Sequence, residues 1–162
     1  MSEQMESKPW LTEPDFAKWR DPATGLLCAI RRHKDMKFLC GYVRLPHGKL
    51  RQQLIRFHQV PGKTNFSSLG HSKLKGIEVH WGLTFAGFLC SGYTRDYRLE
   101  RGYWVGFDCA HAYDFVPGMY ELLNSLGIEH FNHAIQDRYR DFAYVKNQVT
   151  GVARQLAKIV KK

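Results

Sequence analysis

With 162 residues, 44% of them hydrophobic and 14% aromatic, the chain has material for one ordinary core and would be cramped as two domains. Its 24 Lys and Arg against 15 Asp and Glu leave a formal charge of +9, a balance that favours anionic partners such as nucleic acid, nucleotides or an acidic protein surface. No apolar run reaches the length of a membrane-spanning helix, acids stand where a signal peptide carries basic residues, and Cys28, Cys40, Cys90 and Cys109 form no CxxC pair, so no membrane association and a reduced, cytoplasmic setting are expected.

Residues 1–9 read as a disordered leader and residues 10–162 as a single α+β domain. Thr12-Glu13-Pro14-Asp15 predicts a short helix with Thr12 as its cap, Pro14 in the first turn and Phe16 and Trp19 on its apolar side. Leu26 to Arg32 and Phe38 to Leu45 predict a hairpin around residues 33–37. A basic insertion occupies residues 46–76. Between His47 and Lys75 it holds Lys49, Arg51, Arg56, Lys63, Lys73, His58 and His71, with Phe57 and Phe66 interleaved and no acid. That composition suits phosphate neutralisation with base stacking. The plainer reading is a solvated loop around a short helix at Leu50 to Phe57, with Leu54 and Phe57 turned inward.

A third strand is expected from Ile77, because Ile77, Val79, Trp81, Leu83 and Phe85 alternate with Glu78, His80, Gly82, Thr84 and Ala86. A fourth runs from Tyr103 to Cys109, and Tyr120 to Ser125 reads as a short helical turn. Phe142, Val145, Val149, Val152, Leu156 and Ile159 recur at steps of three and four, which makes the C-terminus a helix with one apolar stripe. Asp137 and Asp141 near its start and Lys158, Lys161 and Lys162 at its end match the helix dipole. The fold class is therefore α+β: a mostly antiparallel sheet covered on one face by the C-terminal helix, packed over Val79, Trp81 and Leu83.

The chemistry concentrates at the end of the fourth strand, where Asp108, Cys109, His111 and Asp114 fall within seven residues ahead of Pro117-Gly118. The sheet face away from the helix is expected to carry His80, Gly82, Thr84, Trp104, Gly106 and Asp108, joined by Cys40, Tyr42 and Arg44. Glycines inside strands often mark close approach by a ligand; as mere bulges, Gly82 and Gly106 would leave His80 an ordinary half-exposed strand residue. Two chemistries follow. In a binding protein, His80, Trp104, Asp108 and His111 line a pocket and Arg44 meets the ligand's negative charge. In a metal-dependent phosphoester hydrolase, His80, Asp108, His111 and Asp114 are ligands of the kind Zn²⁺ or Mn²⁺ accepts, with His80, Asp108 and His111 catalytic. Against the hydrolase, Asp108 and His111 have no helix to fix their spacing, and neither HExxH nor a phosphate-binding glycine loop occurs. A Cys109–His111 nucleophile pair is the weaker variant, since near neighbours in sequence rarely orient a thiolate and its base.

Four blocks in order carry a family resemblance: Cys40-Gly41-Tyr42-Val43; Glu78-Val79-His80-Trp81-Gly82-Leu83-Thr84-Phe85; Gly106-Phe107-Asp108-Cys109-Ala110-His111 with Asp114 and Pro117; and Tyr139-Arg140-Asp141-Phe142-Ala143-Tyr144-Val145. Together, over Leu26 to Leu156, they resemble a functionally uncharacterised family of small bacteriophage and prophage proteins. The resemblance implies a phage-encoded accessory protein in the host cytoplasm. Counter-defence is among the roles it implies, with a nucleotide signal, a nucleic acid or a host protein as partner. A structural role in the virion is disfavoured by the clustered titratable groups. The chain departs from the family pattern at Trp81, where a glycine is more usual, and in its basic segment.

Overall fold

The alternating segments form an antiparallel sheet. The computed structural model describes residues 7–58, 72–88, 99–128 and 137–161. Its strands are β1 (Phe16–Arg20), β2 (Leu27–Arg32), β3 (Leu39–Arg44), β4 (Phe85–Phe88) and β5 (Tyr103–Asp108), in the order β1-β2-β3-β5-β4, with every neighbouring pair antiparallel. The helices are α1 (Lys49–His58), α2 (Ser72–Lys75), α3 (Pro117–Ser125) and α4 (Phe142–Val160). The fold is α+β, and α4 crosses one sheet face as its stripe requires. Among the described residues, no helix is long and apolar enough to cross a membrane.

Helix α4 begins at Asp141, whose carboxylate accepts the Tyr144 amide at 2.7 Å and so satisfies one of the open N–H groups of the first turn. Val145, Val149, Val152, Ala153 and Leu156 are buried against Cys28, Ile30, Val43, Val105 and Phe107. Gly41 permits this approach: a Cβ there would lie 2.5 Å from the side chains of both Phe107 and Val149. Leu50 and Leu54 of α1, with Leu74 and Ile77, enter the same core. The flanks of the basic segment are thus anchored, while residues 59–71, including Phe66, Lys63 and His71, lie outside the described residues, as do Cys90 and residues 1–6 of the expected leader.

Three expectations are corrected. The segment after Thr12 is a strand, not a helix. Phe16 and Trp19, three apart, would share a helix face; on β1 they point to opposite sheet faces, each joining a different apolar cluster. The face away from α4 is not an open polar surface. Leu27, Ala29, Cys40, Tyr42, Leu99 and Trp104 form a second buried cluster there, and Gly106 makes room for the Tyr42 ring rather than for a ligand, since a Cβ would meet Tyr42 Cδ1 at 2.5 Å.

The third correction bears on the site. The strand expected over Ile77 to Ala86 starts only at Phe85, because Trp81 and Gly82 both take left-handed backbone conformations (φ +53° and +84°) and the Gly82 amide closes a turn onto the Val79 carbonyl at 2.8 Å. Before the turn, α4 replaces the missing neighbour strand. The side-chain amide of Gln155 accepts from the Glu78 N–H at 2.8 Å and donates to the Glu78 carbonyl at 2.7 Å, and Gln148 accepts from the His80 N–H at 2.9 Å. Val79 and Leu83 still pack on the core, but Trp81 is turned out and His80 turned in, the reverse of the alternation.

A buried arginine ties the N-terminal segment to this frame. All five Arg32 N–H donors are engaged: Nε with Asp15 at 2.7 Å, and the terminal nitrogens with the Lys37 carbonyl, Tyr139 Oη, Glu13 and the Pro14 carbonyl. Glu13 also accepts from Tyr139 Oη and from the Phe142 amide at the start of α4.

Candidate functional site

The end of β5, the turn at residues 80–82 and the start of α4 meet at one edge of the sheet. The chain leaves β5 through an Asx turn in which Asp108 Oδ1 accepts the Ala110 amide at 3.1 Å while Oδ2 accepts from Thr84 Oγ1 at 2.9 Å. That turn brings His111 Nε2 to 3.4 Å from Asp108 Oδ1. The contact lacks hydrogen-bond geometry, and Nε2 is covered from solvent with no hydrogen-bond partner among the described residues.

Asp114 closes the loop from beneath. Its side chain is fully buried and accepts three donors: His80 Nε2 at 2.7 Å and the His111 amide at 3.1 Å on Oδ2, and Arg140 Nε at 2.9 Å on Oδ1. Backbone bonds from Phe115 to the Arg138 carbonyl and from Arg138 to the Tyr113 carbonyl set the two chains side by side, which aims Arg140 at the carboxylate. The other nitrogen of His80, Nδ1, lies 3.0 Å from Tyr144 Oη on the first turn of α4. Burial raises the Tyr144 phenol above its ordinary pKa, an effect that the Arg140 guanidinium and, more weakly, Arg138 oppose. Four rings therefore run in sequence along the edge: Tyr144 to His80 at 5.6 Å, His80 to His111 at 6.2 Å, and His111 stacked under Trp81 at 5.9 Å and 30°.

Trp81 ends this row and is 57% exposed. A bulky residue at φ +53° costs about 1–3 kcal/mol relative to an allowed conformation, and the conformation here serves to stand an indole out in solvent. Tyr113, also at positive φ, is exposed beyond His111.

His80, Asp108, His111 and Asp114 are thus brought to one edge as two carboxylate–imidazole pairs. They do not converge on a point. The His80 nitrogens face Asp114 and Tyr144, and among the described residues no three His, Cys, Asp or Glu side chains are placed to hold a metal ion. This arrangement does not present the ligand set expected for Zn²⁺ or Mn²⁺. Trp104 and Arg44 stand elsewhere. They pair across β3 and β5 four residues from the Cys40–Asp108 pair, roughly 13 Å along the strands. Trp104 is fully buried and donates to the Glu100 carbonyl at 3.0 Å, and Arg44 is bound to the Glu100 carboxylate at 2.6 Å. Cys109 points into the core, where burial pushes its thiol above the ordinary range, so it is not the nucleophile of a Cys–His pair.

Comparison with protein-family models, with curated proteins and with solved structures finds no match to this chain.

Sequence reasoning missed Arg140, Tyr144 and Gln148. Tyr144 and Gln148 carried a signal in their spacing, four positions apart on one face of α4, whereas Arg140 precedes the Asp141 cap and no periodic pattern marks it.

Proposed function

We propose that this chain is a phage-type accessory protein, acting in the host cytoplasm, that binds an anionic ligand carrying flat rings: single-stranded nucleic acid or a nucleotide. The observation that supports it is the Trp81 indole, held outward at the cost of backbone strain and backed by the His111 ring. Stacking on an exposed aromatic is tolerant of sequence and contributes about 1–3 kcal/mol per base. One cation stands at the same edge. Arg140 is anchored through Nε, and among the described residues its terminal nitrogens carry no hydrogen bond, which leaves them for phosphate oxygens. The four-block resemblance to phage proteins supports the setting in an infected cell, and a host protein in place of nucleic acid is the reading that a negative binding result would favour.

Of the four tryptophans Trp10 and Trp104 are buried, Trp19 is partly buried and Trp81 is exposed, so quenching by a stacked base falls mainly on Trp81. Titration with a thymidine oligonucleotide is expected to quench it. In a readout that does not use Trp81, the anisotropy of a fluorescein-labelled oligonucleotide, Trp81→Ala is expected to weaken binding by roughly 5- to 150-fold, the equivalent of one lost stack. Affinity should fall with added salt, less steeply when Lys49, Arg51, Lys73 and Lys75 are replaced by Gln. Absence of salt-sensitive quenching by both oligonucleotide and mononucleotide would overturn the proposal.

A further inference from the structure

Tyr144 Oη, His80 and Asp114 stand in a line of two hydrogen bonds, 3.0 and 2.7 Å long. An ionised carboxylate only accepts, so the proton of the shorter bond sits on His80 Nε2. In the neutral ring Nδ1 is then an acceptor, and the phenol of Tyr144 donates into it. A hydroxyl facing an imidazole whose ring is fixed by a buried acid is the order of groups that activates a weak oxygen nucleophile. Tyr144 requires such help, because burial holds its proton on beyond the ordinary phenol range.

Neighbouring groups indicate what it attacks. The Arg140 guanidinium lies over the Tyr144 ring, 5.1 Å from its centroid, with Nε locked on Asp114. A planar fork beside the nucleophile suits the non-bridging oxygens of a phosphoryl group, whose charge must be held through the transfer. The ring row ends on Trp81, so the stacking shelf and Tyr144 belong to the same edge, three ring contacts apart.

We propose that Tyr144 is a nucleophile toward a phosphodiester of single-stranded nucleic acid and forms a phosphotyrosyl link. The Tyr144 Oη–P bond forms while the P–O bond to the leaving sugar oxygen breaks. The phenol proton passes to His80 Nδ1, where Asp114 holds the imidazolium charge, and the departing sugar oxygen, in line on the far side of phosphorus, takes its proton from solvent. One phosphodiester is exchanged for another, so no further reactant is consumed. The substrate class rests on the binding reading above; the nucleophile rests on the Tyr144–His80–Asp114 geometry.

The test uses the full chain and the p-nitrophenyl ester of thymidine 5′-phosphate, an activated phosphodiester with no sequence requirement. A burst of nitrophenolate is expected, reaching at most one equivalent per chain, with a mass gain of one nucleotidyl group on the peptide that carries Tyr144. Tyr144→Phe should abolish burst and adduct while oligonucleotide quenching of Trp81 persists. His80→Gln should slow the burst by about 10²–10⁴-fold and flatten its pH profile, the signature of a lost general base. Quenching by the oligonucleotide without any adduct on the parent chain, or an adduct on another residue, overturns the nucleophile and leaves the binding reading standing. Absence of both overturns the two together.

Discussion

Replacing Asp114 with Asn keeps the shape of the buried side chain and removes its charge and one acceptor. Three donors converge on the carboxylate. If the amide oxygen stays with His80 and the His111 amide, the amide nitrogen faces Arg140 Nε, donor against donor. The lost charge-assisted bond is worth about 1.5–3 kcal/mol, and weakening of the His80 bond adds about 0.5–1 kcal/mol. Arg140 is 20% exposed and can turn partly to water, which moderates the first figure. A loss of about 2–3 kcal/mol is therefore expected, or roughly 4–12 °C in melting temperature for a chain of this size. Thermal unfolding of Asp114→Asn, Arg140→Ala and the double variant is the assay. The double variant should recover about 0.5–3 kcal/mol relative to the sum of the singles, as partners in one network do. A melting temperature for Asp114→Asn within about 1 °C of the parent would refute the reasoning, and with it the view that this carboxylate organises the site.

Trp81→Gly relieves about 1–3 kcal/mol of backbone strain, offset by the lost stack on His111 and the freer unfolded chain, each about 1 kcal/mol. It should melt within about 3 °C of the parent yet fail to bind oligonucleotide; a large drop in melting temperature would make Trp81 a structural prop. Arg32→Met removes the counter-charge of Glu13, whose side chain is only 15% exposed and keeps only its bonds from Tyr139 Oη and the Phe142 amide, whereas Asp15 at 74% is resolvated at little cost. The expected loss is about 3–5 kcal/mol, and a melting temperature lowered by less than about 3 °C would show that the N-terminal segment is held by other contacts. Burial raises the Cys28 and Cys40 thiols from 9.0 to about 12. The unfolded chain therefore ionises first, and stability complete below pH 9 declines between pH 9 and 12 by roughly 1.4 kcal/mol per pH unit per thiol. A Cys40→Ala variant should show a shallower alkaline decline in melting temperature, and an identical slope would count against the buried thiols.

What was legible in the sequence was whatever one element decides by itself. The stripe from Phe142 to Ile159 needed only helical spacing, and the hairpin and β5 needed only alternation. The segment at 77–84 alternates too, but an extended chain tethered by glutamines has the same period as a strand. A left-handed Trp81 is also the last conformation its residue type would indicate. Inverting that one turn exchanged His80 for Trp81, so the expected pocket wall became core and an expected core residue became the exposed shelf. His80 and Asp114 are 34 positions apart, and no local pattern announces a bond between them.

The glutamine tethers separate the support of the shelf from the residue it displays. Gln155 and Gln148 grip the backbone of Glu78 and His80, and the turn closes through main-chain atoms at Val79 and Gly82. None of these bonds depends on the side chain at residue 81. The position works as an interchangeable tip on a fixed holder, where exchanging the side chain changes what is displayed without refolding the rest. Trp81 is one setting of that tip, and a single codon change replaces it while His80, His111 and Tyr144 stay in place.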